Sequence, residues 1–369
     1  MEKKSGTILG VFLPSMLSIV GAIMYLRLSW IVGTAGIAPS LTIVFLSFII
    51  SIITGLGLSS IATDQKQKKD GIYHLLSRSM GVPMGSTICI TLLIALLFNA
   101  AIQIIGISET LLNMPKVASF LNMEPCSASY RIIGSAILLL IFLTIIIVNY
   151  TSTSKARIVV ISAFLISLIS IVAGIATNTD IRPEMSTAVV ERDFSWTEIF
   201  GIFFPASTGF TIGLTFNSSL KNPHKSILSG TIGAIICSFA IYILTIIALD
   251  KFVCPTILTE DSVNFFPSIS FSPIITYIAI LISLSYIAFS IMAITPNIVA
   301  SMAHDKVLPR IFDNNYDRKN KKPINAIIVL FIIAECIVLI GDLNTLAYIS
   351  TISLLTTYTL INLTFALER

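Results

Sequence analysis

Ten apolar runs, each long enough to cross or nearly cross a bilayer, follow one another along the chain. They fall at roughly 8–33, 38–62, 86–112, 131–148, 157–176, 197–216, 227–249, 273–300, 324–340 and 343–367. A helix rises 1.5 Å per residue, so about 20 residues cross the ~30 Å hydrocarbon core. In hydrocarbon no water satisfies the backbone, so each run must satisfy its own and is predicted to be a helix. The expected fold class is an all-α polytopic membrane protein with ten transmembrane helices. Composition agrees. Of 369 residues, 55% are hydrophobic and 11% charged, against about 25% charged in a soluble domain. The net charge of +4 is not a nucleic-acid signature, because the basic residues lie in loops between apolar runs. Membrane lipid is an expected partner and nucleic acid is not.

Orientation follows from those loops. With the N-terminus inside, seventeen of the 23 Lys and Arg fall on the inner side and five on the outer side, with Arg27 inside a span. The positive-inside bias then predicts both termini to be cytoplasmic. The short Met-Glu-Lys-Lys start feeds an apolar run too long for a signal peptide, so the first helix is expected to stay. Trp30 and Trp196 both reach the outer interface, where indoles prefer to sit. The sequons at Asn149, Asn217 and Asn362 fall in inner loops or a span, so none is expected to carry glycan. Plasma membrane is the expected location rather than an internal membrane.

The ten runs divide into two sets of five. The expected organisation is a short cytoplasmic N-terminus (1–7), a first five-helix repeat (8–176), an extracytoplasmic loop (177–196) and a second five-helix repeat (197–369). Five is odd, so the second set enters from the opposite side, and the repeats are inverted. The first helix of each carries breakers: Ser18-Ile-Val-Gly21-Ala-Ile in one, Phe203-Phe-Pro-Ala-Ser-Thr-Gly209-Phe-Thr-Ile-Gly213 in the other. Helices broken at matching positions mark a substrate site in secondary transporters. Such a break frees carbonyls on one side and N–H groups on the other. Carbonyls and hydroxyls suit a hard monovalent cation, whereas N–H groups at a half-helix start suit an anion. The carbonyls near Ser18 and Ile19, Pro205 with its missing donor, and the Thr208 hydroxyl form the cation side. The N–H groups of Gly21, Ala22 and Ile23, and of Gly209, Phe210 and Thr211, form the anion side. The competing reading is packing, since Gly209 and Gly213 make Gly-x-x-x-Gly.

Neither break holds a titratable side chain. Arg27, beyond the first break, is expected to snorkel or to cap carbonyls. Glu109 and Glu335 are open to two roles, a proton or cation relay or an interhelical pair. The five cysteines have no metal-type spacing. Cys126 and Cys254 share the outer side, where a bridge between them stays open. His74, His224 and His304 fall in inner loops as solvated residues. No nucleophile–base pair, metal cluster or phosphate-binding glycine loop appears, so no enzyme activity and no cofactor are expected.

Several of these runs also carry a resemblance. Gly6-Thr-Ile-Leu-Gly-Val-Phe-Leu-Pro14 and Tyr25-Leu-Arg-Leu-Ser-Trp-Ile-Val-Gly-Thr-Ala-Gly36 resemble the first helix of the cation–chloride cotransporters, most closely the potassium–chloride branch. Phe203-Phe-Pro-Ala-Ser-Thr-Gly209 resembles that family's sixth helix. Asn222-Pro-His-Lys-Ser-Ile with Gly230-Thr resembles the start of its seventh, and Tyr358-Thr-Leu-Ile-Asn362 its tenth. The resemblance implies the amino-acid/polyamine/organocation (LeuT-like) fold and electroneutral symport of chloride with potassium. By position it implies potassium at Ser18, Ile19, Gln103, Pro205 and Thr208. It implies one chloride at Gly21, Ala22 and Ile23 and a second at Gly209, Phe210, Thr211 and Tyr358. The transported potassium and chloride are the inorganic partners.

The departures from the family are specific. Ser18 stands where the family has Asn, and Gln103 where it has a Tyr ligand for potassium. Tyr286 and Ile287 replace the paired serines of sodium-using members, which argues against sodium coupling. The family's last two helices and its cytoplasmic C-terminal domain have no counterpart in this chain, which implies a minimal, unregulated carrier without dimerisation. Two other readings remain: an amino-acid or polyamine permease of the same fold, and a non-transporting membrane partner of a larger transporter.

Overall fold

A computed structural model of the chain describes residues 6–64, 71–147, 154–177, 195–211, 223–313 and 322–367. The sequons Asn149 and Asn217, most of the 177–196 loop, Asn222 and Gly213 of the second break lie outside these residues.

The predicted runs are helices. The first begins with one π-helical turn, Ile8–Phe12. It continues as α1 (Leu13–Ile19), α2 (Ala22–Leu26) and α3 (Leu28–Ala35). Then come α4 (Ile37–Asp64), α5 (Ile72–Met80), α6 (Val82–Leu112), α7 (Pro115–Leu121), α8 (Ser127–Ile147) and α9 (Ser154–Thr177). The second set runs α10 (Trp196–Phe203), α11 (Pro223–Phe252), α12 (Pro255–Glu260), α13 (Phe265–Ile269), α14 (Pro273–His304), α15 (Ile324–Ile340) and α16 (Leu343–Leu367). Among the described residues eight helical stretches are long and apolar enough to cross a membrane; Ile324–Ile340 is a shorter apolar helix. Broken α10 begins the remaining expected run, whose continuation beyond Thr211 lies outside the described residues. The short elements α5, α7, α12 and α13 lie between spans.

Packing follows the inverted repeat. Repeat mates pack on each other: second span with seventh (α4 on α11), third with eighth (α6 on α14) and fourth with ninth (α8 on α15). The tenth span packs on the third, and its mate the fifth packs on the eighth. Large side chains on outward faces, such as Ile169, Leu244 and Ile352, are exposed, as lipid-facing residues are. The interior packs Tyr25, Phe48, Phe164, Phe203, Phe210 and Tyr242.

Local chemistry starts the sixth span where the sequence places it. Ser195 Oγ accepts the Glu198 N–H at 3.3 Å while a Glu198 carboxylate oxygen accepts the Ser195 N–H at 2.7 Å, a capping box. One expectation is corrected here and one open question is decided. His74 is buried in α5 beside the Tyr73 ring, not solvated. Cys126 and Cys254 are both free thiols.

Candidate functional site

Both predicted breaks exist, and they meet. The first helix stops at Ile19. Val20 (φ −88°, ψ 75°) and Gly21 (φ −115°, ψ −151°) leave helical geometry before α2 restarts at Ala22. The second helix tightens after Phe203 into a 3₁₀ turn over Phe204–Ser207, and Thr208 follows with φ −108°. Pro205 sits in that turn, where its missing N–H removes a helical bond. Gly209 lies directly against the Ser18 backbone: a Cβ built on Gly209 would stand 2.5 Å from the Ser18 carbonyl oxygen. Ser18, expected on the cation side of one break, and Gly209, expected on the anion side of the other, are thus in contact.

The freed backbone groups have found partners. In an unbroken helix the Ala22 N–H would reach the Ser18 carbonyl. Here it donates to Gln103 Oε1 on α6 at 3.0 Å. The Gly21 N–H turns back to the Ile19 carbonyl at 3.1 Å. That carbonyl also accepts the Tyr242 hydroxyl from α11 at 3.2 Å. Ser18 Oγ donates to the Pro14 carbonyl at 2.8 Å, which leaves its lone pairs for a cation. At the second break the Pro205 carbonyl accepts both the Thr208 hydroxyl at 2.8 Å and the Thr208 N–H at 3.3 Å. The Tyr358 hydroxyl donates to the Thr208 carbonyl at 3.2 Å. Its ring packs 5.7 Å from Phe210 and 6.1 Å from Phe204. Ser15 donates to the Phe210 carbonyl at 3.3 Å. Thr211 is buried beyond Phe210, and Ile23 is buried in the first turn of α2.

The structure therefore gathers Ser18, Ile19, Gly21, Ala22 and Gln103 around the first break, and Pro205, Thr208, Gly209, Phe210 and Tyr358 around the second. Gln103 stands apart from its expected place. Its carbonyl faces the Ala22 N–H, a group assigned to the anion side. Sequence reasoning missed Tyr242, Asn99 and Ser15. A polar side chain inside an apolar run is costly unless it has a partner, and Asn99 and Tyr242 carried that signal.

Ties on either side bracket the breaks. Toward one end, Arg27 does not snorkel. Its guanidinium pairs with Glu109 on α6 at 3.1 Å, bonds Asn344 Oδ1 on α16 at 2.8 Å and caps the Leu26 carbonyl. Toward the other, Tyr73 donates to Asp305 at 3.0 Å, and Arg157 on α9 donates to the Leu9 carbonyl in the π-helical turn. Burial and the neighbouring Asp305 push the Tyr73 hydroxyl well above its usual range.

Among the described residues, eight membrane-long helices, a shorter apolar one and two facing breaks at their centre define a multi-pass integral membrane protein of the inverted-repeat transporter fold. The sequence profile described as amino acid permease matches residues 10–367, and the chain belongs to that family. It is similar to mouse Solute carrier family 12 member 2, 29% identical over 411 residues, covering 97% of this chain and 34% of the relative. Human Solute carrier family 12 member 1 is 28% identical over 412 residues, covering 97% and 37%. The Bumetanide-sensitive sodium-(potassium)-chloride cotransporter of Manduca sexta is 27% identical over 411 residues, covering 97% and 39%. The chain thus spans about a third of the length of these relatives. The crystal structure of MhsT in complex with L-phenylalanine shares the fold, with a TM-score of 0.64 and 14% identity over 98% of this chain and 89% of that one. These comparisons do not single out the potassium–chloride branch that the first-helix motifs resemble.

Proposed function

We propose that this chain is a secondary symporter that moves chloride together with potassium by alternating access, in a membrane where both its termini are cytoplasmic. The observation that carries the reading is the contact between the two breaks, Ser18 against Gly209. Carbonyl and hydroxyl oxygens of Ser18, Ile19, Pro205 and Thr208 suit a desolvated cation. N–H groups at Gly209, Phe210 and Thr211, with the Tyr358 hydroxyl, suit an anion a few ångströms away. Cation and anion held together screen each other in a low-dielectric interior, where either alone costs several kcal/mol to bury. The name of the Manduca sexta relative, a sodium-(potassium)-chloride cotransporter, supports the ion class. Tyr286 and Ile287 on α14, neither with a hydroxyl-bearing short side chain, support a cycle without sodium.

Alternating access requires one bundle of helices, the first span among them, to rock against the rest around fixed ions. Arg27, Glu109 and Asn344 join the first, third and tenth spans, so that tie breaks and reforms as the access side changes. The test is rubidium uptake into liposomes holding the purified protein. Uptake that requires external chloride and ignores sodium is expected. No chloride-dependent flux from correctly inserted protein overturns the reading.

The family description and the L-phenylalanine in the MhsT structure favour a second reading, an amino-acid carrier of the same fold. Thermal stabilisation by amino acids, and none by chloride, would establish it.

A further inference from the structure

The first break holds a ligand of its own. Gln103 on α6 is 81 positions from Ala22 in sequence, yet its Oε1 accepts the Ala22 N–H at 3.0 Å. Its Nε2 donates to Asn99 Oδ1, one turn earlier, at 3.2 Å. The two bonds fix the amide: its nitrogen faces an acceptor and its oxygen faces a donor. Gly21 makes the approach feasible, since a Cβ there would lie 3.0 Å from both amide heteroatoms. The Gly21 N–H is itself spent on the Ile19 carbonyl. Two of the three N–H groups that open this half-helix therefore already have acceptors inside the protein.

We propose that Gln103 is a built-in surrogate for an anion at the first break, so that the second break alone carries the transported anion, one per cycle. The inference rests on the symport reading and makes it narrower. A carboxamide oxygen offers an N–H the same lone pair as a bound anion, without charge and without desolvating an ion. An anion arriving there must displace the oxygen and leave a buried amide without its donor, which costs about as much as the new bond returns. Among the described residues no side chain plugs the second break in this way. The Tyr358 hydroxyl beside it occupies a carbonyl, that of Thr208, and not an N–H. One anion with one monovalent cation also leaves the loaded site neutral.

The experiment measures radiolabelled chloride bound per chain by scintillation proximity on purified protein, alongside the chloride order of rubidium uptake. The native protein is expected to bind about one chloride with an order near one. Gln103→Met has the same length but no acceptor for the Ala22 N–H, and is expected to raise both values toward two. Gln103→Glu keeps an acceptor oxygen and is expected to leave both at one. A loss of packing alone would lower flux in both variants without changing the chloride order. Two chlorides in the native protein, or one in a Gln103→Met variant with an unchanged melting midpoint, overturns the proposal. Zero chloride in every form overturns the symport reading instead. Should Gln103→Met fail to fold, hydrogen exchange on the native chain decides: chloride is expected to protect the amides at Gly209 and Phe210 and not that of Ala22. Protection at Ala22 overturns the proposal.

Discussion

The carbonyl oxygen of Ser18 occupies the space where a side chain on Gly209 would begin, 2.5 Å from the position of its Cβ. The two breaks touch through that contact. Only a residue without Cβ allows the second break to lie on the first. Gly209→Ala must therefore push the breaks apart, and overpacking of this kind costs about 1–3 kcal/mol. Gly57→Ala is the control, because its nearest neighbour would stand 3.8 Å away. Loss of most rubidium uptake and a lower melting temperature are expected for Gly209→Ala alone. Equal behaviour of the two variants would remove the breaks' contact from the mechanism.

Arg27 and Glu109 form an ion pair whose side chains are only 12% and 7% exposed. Removing one partner of such a pair strands the other charge, at about 3–5 kcal/mol, whereas replacing both with apolar groups is often close to neutral. Arg27→Met and Glu109→Leu should each lower the unfolding midpoint strongly, and the double variant should recover much of the loss. Uptake should stay impaired in the double variant, since the tie to Asn344 is lost too. Additive destabilisation in the cycle would show that the pair is not coupled.

Tyr358→Phe separates two uses of one hydroxyl. In the structure it serves the Thr208 carbonyl; during transport it is proposed to donate to the anion. A hydrogen bond to an ion is worth about 1.5–3 kcal/mol, so the chloride KM should rise about tenfold or more. A fall in melting temperature with an unchanged chloride KM would confine Tyr358 to holding Thr208.

Cys126 precedes α8, is exposed, and lies 3.2 Å from Ser129 Oγ. That hydrogen bond and the N–H groups of the helix start lower its thiol pKa. A lowered pKa raises the thiolate fraction at neutral pH, and thiolate is the reactive form. Membrane-impermeant maleimide should label Cys126 from outside faster than an ordinary thiol and keep labelling as pH falls. Ser129→Ala should shift that pH profile upward. Labelling only after permeabilisation would reverse the proposed topology. Cys89, buried in α6, should not react.

The spans and the breaks were legible because apolarity, Pro and Gly act on their own stretch of backbone. Pro205 lacks its N–H wherever the chain goes, and Ser18-Ile-Val-Gly21 unwinds where the sequence indicates. Cysteine pairing and the setting of His74 were not legible, because spacing says nothing of what packs over a loop. Arg27 was half legible: one of its two expected roles, capping a carbonyl, is met at Leu26, but Asn344, 317 positions away, is a neighbour only after folding.

The amino-acid sequence alone thus determined the apolar helical spans and the two places where a helix opens. The tertiary structure decided which groups meet there. A freed N–H bonds whatever acceptor packing brings within about 3 Å. At Ala22 that acceptor is the Gln103 carboxamide, and at Ile19 the carbonyl takes the Tyr242 hydroxyl. Neither pairing follows from spacing along the chain, because both depend on how whole helices lie against one another.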